Sequence, residues 1–160
     1  MHNLDTLSAV GPRLARPGLK TPPTIDRFTA QVEALLGQHD RHRKPSYTEA
    51  ATELISHLPE DPYVLAVFME DSMGYEADAE LVELLTGLWP LWLATQEAVT
   101  AEWAATRNVT LLPLHTKISA TSPDGQAVRG EIVGVLDSTA RYRVQSGDAV
   151  VLVNHEDVAP

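Results

Sequence analysis

Cysteine is absent from the 160 residues. That excludes disulfides, thiolate zinc sites and thiol nucleophiles, and it fits a reducing compartment. Long apolar runs are missing too. The longest candidate, 81–99, is interrupted by Glu83, Gly87, Pro90, Gln96 and Glu97, so no membrane span is expected. The opening MHNLDTLSAVGPR carries an acid where a signal peptide has a basic patch, and the expected location is cytoplasmic. Basic side chains are scarce: 12 Lys and Arg stand against 22 Asp and Glu, for a net charge of −10. Such a balance argues against nucleic acid as the default partner. What is present, 44% hydrophobic and 21% charged residues, is enough to bury a core and excludes a disordered chain, a collagen-like fibre or a coiled-coil rod. The length suits one ordinary domain or two small ones.

The shortage of bases is local. Residues 1–45 hold seven bases and four acids, and residues 107–160 hold five bases and six acids. Between them, residues 46–106 carry twelve acids and no Lys or Arg at all. The three balances, +3, −12 and −1, recover the net −10, so the middle segment carries more than the whole net charge. Exposed helical surfaces ordinarily mix signs, and sixty-one residues without one base is the most informative feature of the chain. Arginine outnumbers lysine nine to three, as GC-rich bacterial sources favour.

Residues 1–23 read as a basic, Pro-rich flexible tail, since Pro12, Pro17, Pro22 and Pro23 with Gly11 and Gly18 leave no room for a helix. Its Arg13, Arg16 and Lys20 suggest a segment able to lie across the acidic middle. Residues 24–106 read as an acidic α-helical domain. Thr24 offers a cap before Ile25, Phe28, Val32, Leu35 and Leu36, and Gly37 ends that run before the basic cluster Arg41, His42, Arg43 and Lys44. A second helix carries Ala50, Ala51, Leu54 and Leu58 up to Pro59; Asp61-Pro62 opens a third segment from Tyr63 to Met69, with Gly74 as its breaker; a fourth runs from about Glu76 and carries Leu81, Leu84, Leu85 and Leu88. Trp89-Pro90 kinks that helix or starts a new one through Trp92, Val99 and Trp103. From 107 the period falls to two, and 109–112, 115–120, 128–136, 140–145 and 149–153 read as five short strands separated by turn signals. The expected fold is therefore α+β: an acidic helical domain followed, over 107–160, by a small SH3-like β-barrel.

No motif settles an activity. His39-Asp40 has the form of the metal-binding dipeptide of HD-class phosphohydrolases, but Arg41, Arg43 and Lys44 would repel a cation there. Glu49 with Glu53, and Glu80 with Glu83, stand at helical spacing, as in the Mg²⁺ sites of all-α nucleotide pyrophosphohydrolases. The companion Glu-x-x-Asp is missing, and no base lies nearby to hold phosphate. A Gly-x-Ser-x-Gly elbow is absent as well. Arg141 and Arg143 share a strand face for nucleic acid, while alternation turns Tyr142 the other way, into the core. Trp92 and Trp103, three helical turns apart, suit the anchoring of a partner.

The leading expectation is a non-catalytic interaction protein without a cofactor, whose acidic helical surface engages a basic protein partner. Glu70, Asp71, Glu76, Asp78, Glu80, Glu83, Trp92 and Trp103 are its expected contact residues. One alternative is a divalent-metal hydrolase using Glu49, Glu53, Glu80 and Glu83, which requires those carboxylates to converge. The other is a nucleic-acid module built on Arg141 and Arg143.

Overall fold

The computed structural model describes residues 15–39 and 47–160. Arg13 and the cluster Arg41 to Lys44, with Asp40, lie outside the described residues, as does most of the expected tail. Helix α1 spans Pro22–His39. Proline in its first turn gives up an N–H that has no intrahelical partner there. The helix thus starts two residues before Thr24, and Thr24 is buried inside it rather than capping it. Gly37 does not end it. Phe28, Val32 and Leu36, four apart, bury its inner face.

Helix α2, Thr48–His57, buries Ala50, Ala51 and Leu54. Helix α3, Pro62–Met73, starts where the Asp61 carboxylate accepts the N–H groups of Tyr63 at 2.9 Å and Val64 at 3.3 Å. It stops at Gly74, whose φ of 69° suits the left-handed cap. Helix α4, Ala79–Thr86, is capped by Asp78, which accepts the Leu81 N–H at 2.8 Å. Helix α5, Leu88–Arg107, is a new helix and not a kinked continuation of α4. Pro90 sits in its first turn, where proline costs no backbone hydrogen bond. The five helices share one core of Phe28, Leu36, Leu54, Leu65, Leu81 and Trp92 among others.

Four strands follow: β1 Lys117–Thr121, β2 Ala127–Leu136, β3 Arg141–Ser146 and β4 Ala149–Asn154. They form an antiparallel meander in the order β1-β2-β3-β4, and the sheet is not closed. The expected fifth strand at 109–112 is absent. That stretch crosses the sheet as a loop, packing Leu111 and Leu112 on the second core of Ile118, Val128, Ile132, Tyr142, Val144 and Val153. A 3₁₀ turn, Asp137–Thr139, joins β2 to β3, and a second, His155–Asp157, follows β4. Beyond it Val158 makes a single bridge to Ala120 of β1, and the Ala159 N–H donates to the Ser119 carbonyl at 2.8 Å. The two cores meet where α5 packs on the Asp137–Thr139 turn. No helix among the described residues is long and apolar enough to cross a membrane.

Candidate functional site

The acids fall into two groups. On α5, Glu102 takes a bidentate pair of hydrogen bonds from Arg27, at 2.7 and 2.8 Å, which holds its carboxyl below the ordinary glutamate range. Glu97, also on α5, lies 4.0 Å from Arg141. The acids of α2, α3 and the α3–α4 corner are placed differently. Glu70 accepts the Ala77 N–H at 3.4 Å, tying the end of α3 to the turn before α4. That bond gathers Glu70, Asp71, Glu76, Asp78 and Glu80 around one corner, with Glu83 one turn further along α4. All of these are exposed except the half-buried cap Asp78. Glu49, Glu53, Glu70, Asp71, Glu76 and Glu83 have no cation in ion-pair range among the described residues.

The two tryptophans expected to anchor a partner are used inside the molecule. Trp92 is 2% exposed, stacked on Phe28 with ring centroids 5.5 Å apart and edge-on to Trp89, and its indole N–H donates to the Leu19 carbonyl at 3.1 Å. It does not share a surface with the acids. Trp103 lies at the junction between helices and sheet, with the Arg16 guanidinium 4.6 Å and the Arg107 guanidinium 4.9 Å from its ring centre.

Arg16 is the centre of that junction. Its Nε and Nη2 donate to the two Glu156 carboxylate oxygens at 2.6 and 2.8 Å. Its Nη1 reaches the Thr139 carbonyl at 2.6 Å and its Nη2 the Ala140 carbonyl at 2.9 Å. The side chain is only 11% exposed. The described end of the basic tail therefore packs against the sheet and α5 rather than across the acidic face. Burial pushes the Glu156 carboxyl up, but the Arg16 hydrogen bonds and the charges of Arg16 and Arg107 outweigh it and hold the group below its ordinary range. Arg141 is pushed down by burial and by the charge of Arg16, against the pull of Glu97 and Glu156.

Arg141 and Arg143 differ in exposure and contacts. Arg141 is 16% exposed and donates to the Asn154 side chain at 3.2 Å, whereas Arg143 is exposed with its stem lying over Gly134. Tyr142 is fully buried, as strand alternation predicts. Its hydroxyl accepts the Leu112 N–H at 3.0 Å and bonds His155 Nδ1 at 2.6 Å. Burial raises its pKa, with the Leu112 bond opposing. The bases on the β1–β2 face alternate with acid: Lys117 stands opposite Glu131, which also bonds His115 at 2.6 Å.

The glutamates weighed for a metal, Glu49 and Glu53 on α2 and Glu80 and Glu83 on α4, point from exposed positions. Among the described residues no three His, Asp or Glu side chains gather into a metal-holding group. The convergence which that alternative requires is not met there. What sequence reasoning missed is the Arg16 site, whose parts come from positions 16, 103, 139, 140 and 156 with no motif to join them. Comparison with protein-family models, curated proteins and solved structures finds no match to this chain.

Proposed function

We propose that the chain is a non-catalytic interaction protein whose acidic helical surface engages a basic protein partner. The observation that carries the reading is a set of six carboxylates on α2 to α4 (Glu49, Glu53, Glu70, Asp71, Glu76 and Glu83), exposed and without a described cation beside them. Neighbouring like charges repel, as Glu49 and Glu53 do at i, i+4, so a surface of this kind has a small stability cost in the free protein. A cationic partner removes that cost. It also gains from long-range attraction, which speeds encounter and fades with salt. The acids paired on α5 have a separate role, since Glu102 and Glu97 bind Arg27 and Arg141 of the same chain.

The sheet enters this reading as a small SH3-like barrel. The return of Val158 to β1 after a 3₁₀ turn is the feature in its favour. Its role is to brace α5 through the Asp137–Thr139 turn, leaving α2 to α4 for a partner. Bacterial origin and cytoplasmic residence belong to the same proposal, in keeping with a cysteine-free, arginine-rich composition.

The test is affinity capture at low salt with the wild type and a variant carrying E70Q, D71N, E76Q and E83Q in parallel. Partners are identified by mass spectrometry. The reading expects a basic protein retained by the wild type, lost by the folded variant and eluted by salt. Identical captures from the two proteins would overturn it.

A further inference from the structure

The surroundings of Arg16 have the chemistry of a ligand site. A guanidinium is planar and forked, and here four hydrogen bonds leave its three nitrogens while its central carbon stands 4.6 Å from the Trp103 ring centre. A lysine ammonium, a point donor, cannot satisfy a two-oxygen carboxylate and two separate carbonyls in that arrangement. The walls are also built without the segment that fills them. Trp103 comes from α5, Thr139 and Ala140 from the turn before β3, and Glu156 from the turn after β4. The two carbonyls are fixed by the turn's own bonds: the Ala140 N–H donates to Asp137 at 3.3 Å, and the Ala140 carbonyl accepts the His155 N–H at 3.0 Å. Thr139 is 1% exposed. The occupant, by contrast, sits on residues 15–18, which have no regular secondary structure, and the pocket opens to solvent beside Glu156, whose side chain is 34% exposed.

We propose that Trp103, Glu156 and the carbonyls of Thr139 and Ala140 form an arginine-recognition site. It is filled in this conformation by Arg16 of the same chain and is open to an arginine on an extended basic peptide of a partner when residues 15–18 lift away. The site shares no residue with the acidic face of α2 to α4 and stands or falls apart from it. Arg16 then acts as an internal competitor, at an effective concentration on the order of millimolar.

The first test is chemical rescue of full-length R16A, followed by thermal melting and circular dichroism. N-ethylguanidinium at millimolar levels is expected to raise the melting temperature of R16A, or to restore its fold if the variant unfolds. Ethylammonium at the same concentration is expected to do neither, and both wild type and R16A/E156Q should be indifferent to the two cations. Equal effects of the two cations, or no effect of either, overturn the site. The second test titrates R16A with the labelled peptide N-acetyl-Ala-Arg-Pro-Gly-amide and its lysine counterpart. The arginine peptide should bind at least about tenfold more tightly than the lysine one, the weight of one charge-assisted hydrogen bond. It should also bind R16A at least about tenfold more tightly than wild type, whose own Arg16 competes. Rescue by ethylguanidinium without peptide binding overturns the partner role and leaves Arg16 an internal staple.

Discussion

Replacing Gly130 by alanine measures how tightly β2 coils against β3. A Cβ at this position would fall 1.9 Å from the Gln145 carbonyl oxygen, 2.7 Å from its carbonyl carbon and 3.0 Å from Val144 Cγ1. Carbon and oxygen in ordinary contact stay about 3.3 Å apart, so the strands would have to separate by roughly 1.4 Å. The obstacle is backbone rather than the free end of a side chain. It also lies beside the ladder that sets Glu131 opposite Gln145 and Ile132 opposite Val144. Overpacking of this kind costs ~1–3 kcal/mol, and a lost ladder bond adds ~1 kcal/mol. The expected destabilisation is thus about 2–4 kcal/mol in urea denaturation followed by far-ultraviolet circular dichroism. Two controls calibrate it. Gly125→Ala has open space around it but a φ of +86°, and should lose only the ~1–2 kcal/mol of left-handed strain. Gly134→Ala meets Cβ and Cδ of Arg143 at 3.3 Å, a contact relieved by a shift of a few tenths of an ångström, and should cost less than about 1 kcal/mol. A Gly130→Ala variant no less stable than Gly125→Ala would refute the close approach of β2 and β3.

Other substitutions probe the two cores and the junction. Tyr142→Phe keeps the ring but strands the Leu112 N–H and His155 Nδ1, and should cost ~1–3 kcal/mol by the same denaturation assay. Trp92→Ala should cost ~3–5 kcal/mol, since it removes a core indole and releases the Leu19 carbonyl; a loss below about 1 kcal/mol would contradict its place in the core. The lowered folded pKa of Glu156 gives a pH dependence of known sign. Its stabilisation is present in full above the unfolded glutamate pKa of about 4.3 and is lost as the pH falls through the lower folded value. The stability gap between wild type and E156Q should therefore be constant above that range and close in acid. A gap that widens on acidification would show the sign to be wrong.

The helices were legible because local patterns decide them. Phe28, Val32 and Leu36 recur at helical spacing and are buried, and Asp61-Pro62 and Gly74 bound α3 as capping chemistry requires. The errors have local physical causes too. Val109 to Leu112 is β-branched and apolar, but its apolar side chains pack on the sheet while its Leu112 N–H goes to the Tyr142 hydroxyl instead of a strand neighbour. Pro22 opens α1 ahead of Thr24 because proline suits a first turn. Trp92 could not be placed from spacing alone, since a helix carrying Trp89, Trp92 and Trp103 gives no sign of which neighbour covers each. The acidic face was legible as composition, and the pairing of Glu97 and Glu102 with Arg141 and Arg27 was not. The Arg16 site was illegible for a simpler reason: its hydrogen-bond partners lie 123 to 140 residues away, and backbone carbonyls leave no mark in a sequence.

Whether the carboxylates of α2 to α4 stand open to a cationic surface can be read from the melting temperature of the purified wild type. It is measured from about 0.02 to about 0.5 M NaCl, and again with MgCl₂ at matched ionic strength. Screening acts within a Debye length of about 10 Å at 0.1 M salt, so open, unneutralised carboxylates predict a melting temperature that rises with NaCl and no further rise specific to Mg²⁺. A melting temperature that salt leaves unchanged, or one raised by Mg²⁺ at micromolar levels, would contradict it. The latter would mean that these acids converge on an ion.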